Sequence, residues 1–128
     1  MLSKIRSILP KRFRNDIPII PVVRLQGAIG MQSPMRSGLS LSSAALPLEK
    51  AFSIKKAPAV ALIINSPGGS PVQSRLIFKR IRDLARENEK EVLVYVEDVA
   101  ASGGYMIAVE GDELFVDPSS LVGNIGVV

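Results

Sequence analysis

The chain has 128 residues, enough for one domain with a buried core, and its 47% hydrophobic against 22% charged residues is a globular balance, not that of a disordered chain. It holds neither cysteine nor histidine, which excludes disulfides, thiol catalysis, a Ser-His-Asp triad and a zinc site of the usual ligands. The net charge of +4 hides two unlike parts: residues 1–56 carry 10 Lys/Arg against 2 Asp/Glu, and residues 57–128 carry 6 against 10.

The basic end begins MLSKIRSILPKRFR. Met1, Leu2, Ile5, Ile8 and Leu9 recur at helical spacing, with Lys4 and Arg6 between them, until Pro10 stops the pattern. Two readings stay open for residues 1–16: a short amphipathic helix on an anionic membrane surface, or a solvated, frayed terminus. No uninterrupted apolar stretch or small-residue cleavage site follows, so a secretory signal is not expected. The longest clean apolar run, APAVALII, is eight residues, against about 20 for a membrane-spanning helix. The expected location is cytoplasmic, or peripheral on the cytoplasmic membrane. The basic residues are not interleaved with aromatics, so nucleic acid is not an expected partner.

A domain is expected over 17–128. IPIIPVVRLQGAIG (17–30) reads as a first strand, with Pro18 and Pro21 putting its start at a sheet edge. MQSPMRSGLSLSS (31–43) reads as a loop, and a helix is predicted over 44–55, with Leu48, Ala51, Phe52 and Lys55 on one side. PAVALIIN (58–65) is a continuous apolar run, the mark of a strand buried on both faces. SPGGSP (66–71) is a loop that leads into a helix reaching about Asn88. Ser70 is its cap, Pro71 its first residue, and Ile77, Ile81, Leu84 and Ala85 its buried stripe. Arg75, Lys79, Arg82 and Arg86 fall on its solvated face. EVLVYVE (91–97) is the next buried strand. Ser102 follows, then a helix to about Val109 closed by Gly111, a strand at ELFVDP (113–118), and the apolar end SSLVGNIGVV.

This order, β-α-β-α-β, predicts an α/β fold with a mainly parallel sheet and right-handed crossovers. Functional groups of such sheets gather beyond the carboxyl ends of the strands. SPGG and ASGG both stand at such ends, so two Gly-Gly loops share one rim. Amide hydrolysis needs a nucleophile, a base and donors for the developing oxyanion. Ser102 at a helix start lies near the helix's partial positive charge, and the N–H of Gly103 is free to donate. Gly68 and Gly69 let backbone approach a substrate closely, so one N–H from each loop would make a two-donor oxyanion hole. The plain alternatives remain: Gly-Gly is common in turns, SPGG lacks the Lys-Ser/Thr of a P-loop, and a serine before a helix is usually a cap.

INSPGGSPVQS, VEDVAASGGYMIAVEGDELFVDPSSLVGNIGVV and the helix between them resemble the signal peptide peptidase A (protease IV) family, which includes SohB-like serine peptidases. The resemblance runs over residues 17–128 and implies the fold of the Clp protease proteolytic subunit and the crotonases. It makes Ser102 the nucleophile and Gly69 and Gly103 the oxyanion donors, with Gly68 the alternative to Gly69. The family uses a Ser-Lys dyad, in which burial lowers a lysine's pKa until it can act as a base. That lysine lies well downstream of the serine in single-domain members and in an earlier domain in tandem members. Only 26 residues follow Ser102 here and none is Lys. Lys55, Lys56, Lys79 and Lys90 are not expected at the serine's rim, and Asp98, exposed, is a poor base for an alcohol. Where the family reads GSIGV, this chain has Asn124.

The chain therefore reads as the front part of a peptidase domain, with the base expected from a separate or downstream segment. The leading expectation is a serine endopeptidase acting on signal peptides or similar apolar peptides, homo-oligomeric, without metal or cofactor. The alternatives are an inactive binding or assembly module of the same fold, and a crotonase-like acyl-thioester enzyme. An apolar edge left uncovered at LVGNIGVV is expected to seek a partner.

Overall fold

In the computed structural model the described residues are 17–31 and 33–123; the basic segment 1–16 and the stretch from Asn124 onward lie outside them. Five strands form one sheet: β1 (Val22–Gln26), β2 (Ala59–Ser66), β3 (Glu91–Ala101), β4 (Glu113–Val116) and β5 (Leu121–Gly123). Their order is β1-β2-β3-β4, all parallel, and β3 also carries β5 on its last residues, Val99–Ala101. Between Ile64 and Ser66 the register with β3 shifts, which bends the end of that strand.

The helices are α1 (Leu41–Phe52), α2 (Pro71–Asn88) and α3 (Gly103–Ala108). Leu48, Phe52, Ile77, Ile81 and Ile107 pack with Val23, Leu25, Val60, Leu62, Ile64, Val92 and Val94 into one apolar core on one face of the sheet. Crossovers of this kind follow from the alternation of apolar strand and amphipathic helix. The parallel α/β architecture expected from the sequence is the one observed.

Several details differ from the sequence reading; besides a one-residue shift of β2 from 58–65 to Ala59–Ser66, β4 ends at Val116 rather than 118. β1 is five residues, not 17–30, because Pro18 and Pro21 offer no ladder N–H and Gly27 turns the chain at φ 103°. The first helix begins at Leu41, not 44, and ends at Phe52, leaving Lys55 outside. The serines that read as loop are its cap: Ser40 accepts from Ser43 N at 3.3 Å and Ser43 Oγ accepts from Ser40 N at 2.9 Å. β3 runs four residues beyond Glu97, to Ala101. Gly111 is not a left-handed cap: a Cβ there would lie 2.6 Å from Val94 Cγ2, so it serves close packing of the loop onto β3.

Candidate active site

The chain makes a sharp turn where β3 gives way to α3, and Ser102 is the residue that turns it. Its backbone has φ 51° and ψ −119°, a left-handed conformation rare for a residue with a Cβ. Its side chain makes no capping hydrogen bond with α3. A serine that starts a helix to cap it does the opposite: it takes an extended backbone and accepts an N–H bond, as Ser40 does at α1. Strained strand-to-helix turns of this type expose a serine hydroxyl above a sheet in hydrolytic enzymes of another fold. Ser102 N donates to Gly123 O at 3.0 Å, so β5 braces the turn from the other side.

The two glycine loops meet. A Cβ on Gly68, whose φ is 98°, would lie 2.7 Å from Ser102 Cβ and 2.9 Å from Gly103 N. Only glycine permits that approach. Gly69 (φ 148°) lies against the backbone of Ile29, with Ile29 N donating to Gly68 O at 2.9 Å and Ser70 N to Ile29 O at 2.8 Å. These bonds clamp the residues on either side of Gly69 and leave its own N–H turned the other way, with no acceptor among the described residues. The Gly68 N–H, by contrast, donates to Ser66 Oγ at 3.2 Å. Of the two candidates for an oxyanion donor, Gly69 is the one whose N–H remains available. Gly103 is the first residue of α3, and a first-turn N–H has no partner within its helix.

Gly103 and Gly104 also have a packing reason to be glycine. A Cβ on Gly103 would meet Ser74 Oγ at 2.1 Å, and one on Gly104 would meet Ser66 O at 2.6 Å. The start of α3 is thus pressed onto the end of β2 and the start of α2. Ser66 and Ser74, both buried, were given no role from the sequence. Ser66 Oγ donates to Gly27 O at 2.7 Å while accepting from Gly68 N, tying β1 to the SPGG loop. Ser74 Oγ donates to Ser70 O at 2.8 Å. Nothing in the sequence separates these serines from the caps and loop serines around them.

Among the described lysines none is brought to Ser102. Lys90 precedes β3 and Ser102 follows it, and eleven strand residues span roughly 35 Å. Lys90 Nζ donates to Ile54 O, so the end of α1, with Lys50, Lys55 and Lys56, sits at that far end too. Lys79 is paired with Asp83 at 2.7 Å, and that ammonium holds the Asp83 carboxyl below the ordinary aspartate value of 3.8. Asp98 is exposed and accepts from Asn65 Nδ2 at 3.2 Å.

Peptidase family S49 is the family whose model matches, over residues 84–128. Two Brucella proteins named Na(+)/H(+) antiporter NhaA, from B. melitensis and B. abortus, are 63% identical over 97% of the chain, which covers 17% of each of them. The chloroplastic serine protease SPPA of Arabidopsis thaliana is 35% identical over 85% of the chain and 16% of its own length. Protease 4 of Haemophilus influenzae is 33% identical over 93% of the chain and 20% of its own length. The chain thus spans about a sixth of the length of the curated relatives it matches first. No helix among the described residues is long and apolar enough to cross a membrane. In fold, the chain resembles the 1510-N membrane-bound stomatin-specific protease (TM-score 0.59, 21% identity, 80% of this chain and 45% of that one). It also resembles a ClpP1 mutant from Listeria monocytogenes (TM-score 0.57, 20% identity, 77% of this chain and 52% of that one).

Proposed function

From the premise that this chain carries part of a peptidase family S49 domain on a Clp/crotonase-like fold, we propose that it contributes the nucleophile and oxyanion hole of a serine endopeptidase. The observation that carries the reading is the backbone of Ser102: left-handed, uncapping, and set against the SPGG loop. Ser102 Oγ attacks the scissile carbonyl as its proton passes to a base. The resulting oxyanion is held by the N–H groups of Gly69 and Gly103, and loss of one such donor costs on the order of 100- to 1000-fold in rate. The amine leaves with a proton, and water then hydrolyses the acyl-serine.

The base is a lysine supplied by another segment or another copy, in keeping with the family's Ser-Lys chemistry and with the positions of the described lysines. The substrates are signal peptides or similar extended apolar peptides, met by an assembly of several copies near the membrane. A second reading, an inactive binding or assembly module, draws on those same lysine positions.

The reading is tested with a fluorophosphonate probe and mass spectrometry. The 128 residues alone acylate slowly at Ser102, because an unactivated serine is a weak nucleophile. Adding the lysine-bearing segment of an S49 relative accelerates labelling, and Ser102→Ala abolishes it. Labelling that is unaffected by Ser102→Ala, or no labelling with the added segment, rejects the peptidase reading and leaves the inactive module.

A further inference from the structure

Among the described residues β1 is the outer strand of the sheet, and its ladder satisfies one edge only. Ala61 N donates to Pro21 O at 2.9 Å and Gly27 N to Asn65 O at 3.0 Å. Between those two bonds a parallel ladder uses alternate residues, so Val23 and Leu25 face β2. The N–H and C=O groups of Val22, Arg24 and Gln26 point the other way, and no described residue pairs with them.

A groove runs along this edge. Its first part, about 270 Å³, lies between β1 and the Ser43, Ala44 and Pro47 side of α1. Pro47 has no N–H, so the Ser43 carbonyl lacks its helical donor and adds an acceptor to the wall. The second part, about 630 Å³, shares Gln26, Ser37 and Gly38 with the first and continues past Met31, Met35 and Arg36 to Pro67. Pro67 immediately precedes Gly68, which touches Ser102. The groove therefore runs from the outer edge of β1 to Pro67, one residue before the glycine packed against Ser102.

We propose that this groove binds an extended segment of a peptide substrate as an added strand on β1, remote from the scissile bond; the proposal rests on the peptidase reading above. Donors and acceptors alternating along a strand edge match an extended backbone and no other common ligand. An added strand lies three strand spacings from β3, roughly 14 Å, so the paired segment is several residues from the bond cut at Ser102. Met31 and Met35, 69% and 94% exposed, offer adaptable apolar contacts where the groove widens. Arg36 borders the groove and no carboxylate lines it, which disfavours a basic segment, while the Arg24 guanidinium is paired with Glu97; Met31 and Met35 favour apolar side chains. Binding energy gathered there serves to position the distant scissile carbonyl.

The test is fluorescence anisotropy of the whole 128-residue chain with a labelled, end-capped decapeptide of alternating leucine and serine. Saturable binding is expected. N-methylation of every second residue weakens it about tenfold or more in one register and less than about twofold in the other. Gln26→Pro, which removes one outward N–H, weakens it similarly, and Glu87→Gln, exposed near the far end of α2, leaves it unchanged. Equal response to both N-methyl registers, or no saturable binding, overturns the proposal; the paired probes decide even if Gln26→Pro misfolds. Register-dependent binding to a chain whose Ser102 refuses acylation rejects the nucleophile and leaves the groove standing. Acylation at Ser102 without register-dependent binding does the reverse.

Discussion

Ser102 is held where a β-carbon crowds its own backbone, at a cost of order 1–3 kcal/mol. Glycine would relax that conformation, though it adds freedom to the unfolded chain worth roughly 0.5–1 kcal/mol. The balance favours Ser102→Gly by about 1 kcal/mol, a rise in melting temperature of about 4 °C. Ser102→Ala keeps the β-carbon and should melt with the parent. Thermal unfolding by circular dichroism checks both; a Gly variant that melts lower would mean the turn is not strained. A stability gain on removal is the behaviour of a residue kept for its hydroxyl, whereas loss of a cap costs stability. This distinction was out of reach in the sequence. VAASGGY reads equally as strand, cap and helix, and only the dihedral angles of Ser102 separate the two roles. Which of Gly68 and Gly69 keeps an unoccupied N–H among the described residues was closed to sequence reading for a related reason, since it turns on Ser66 Oγ accepting from Gly68 N.

Elements with a strong period were legible. β2 is the uninterrupted apolar run, and α2 has its Ser70 cap, its Pro71 start and a four-residue buried stripe where the spacing put them. α1 was only half legible. Serines at 40, 42 and 43 have loop composition, and which of them caps depends on where the helix meets the sheet. β5 was not legible at all as a strand, because three residues carry no period and pair only through the bent end of β3. The α1 cap gives a direct test. Ser40→Ala leaves the Ser43 N–H without its acceptor and should cost about 1 kcal/mol. Chemical denaturation measures the loss, and hydrogen exchange should show it as fraying of the first turn of α1. A variant as stable as the parent, with the same protection at Ser43, would show that the box of serines contributes nothing.

At the scale of the whole molecule, the described residues cover the sheet on one face. Parallel sheets are ordinarily buried on both, because each crossover lays a helix against them. Here the described helices share one side, and Val22, Tyr95 and Phe115 stand exposed on the other. Tyr95 of β3 and Phe115 of β4 stack with ring centroids 4.8 Å apart, a flat aromatic platform across the two strands. Leu121 of β5, 72% exposed and paired with Val99, adds exposed apolar surface at the end of β3. Exposed apolar side chains on one sheet face, beside the Arg24–Glu97 ion pair, are the kind of surface that partners cover. The chain is therefore expected to associate with itself through this face at micromolar concentration. Phe115→Lys places a charge in the middle of the platform and should shift the population to monomer without unfolding it, since Phe115 lies outside the core. Sedimentation equilibrium distinguishes the outcomes. A parent chain that stays monomeric, or an assembly indifferent to Phe115→Lys, would place the contact elsewhere. A discrete oligomer broken by that one charge would mean that the face opposite the helices holds the copies together. The β1 edge and the turn at Ser102 would then stay open for the peptide and for the segment that brings the base.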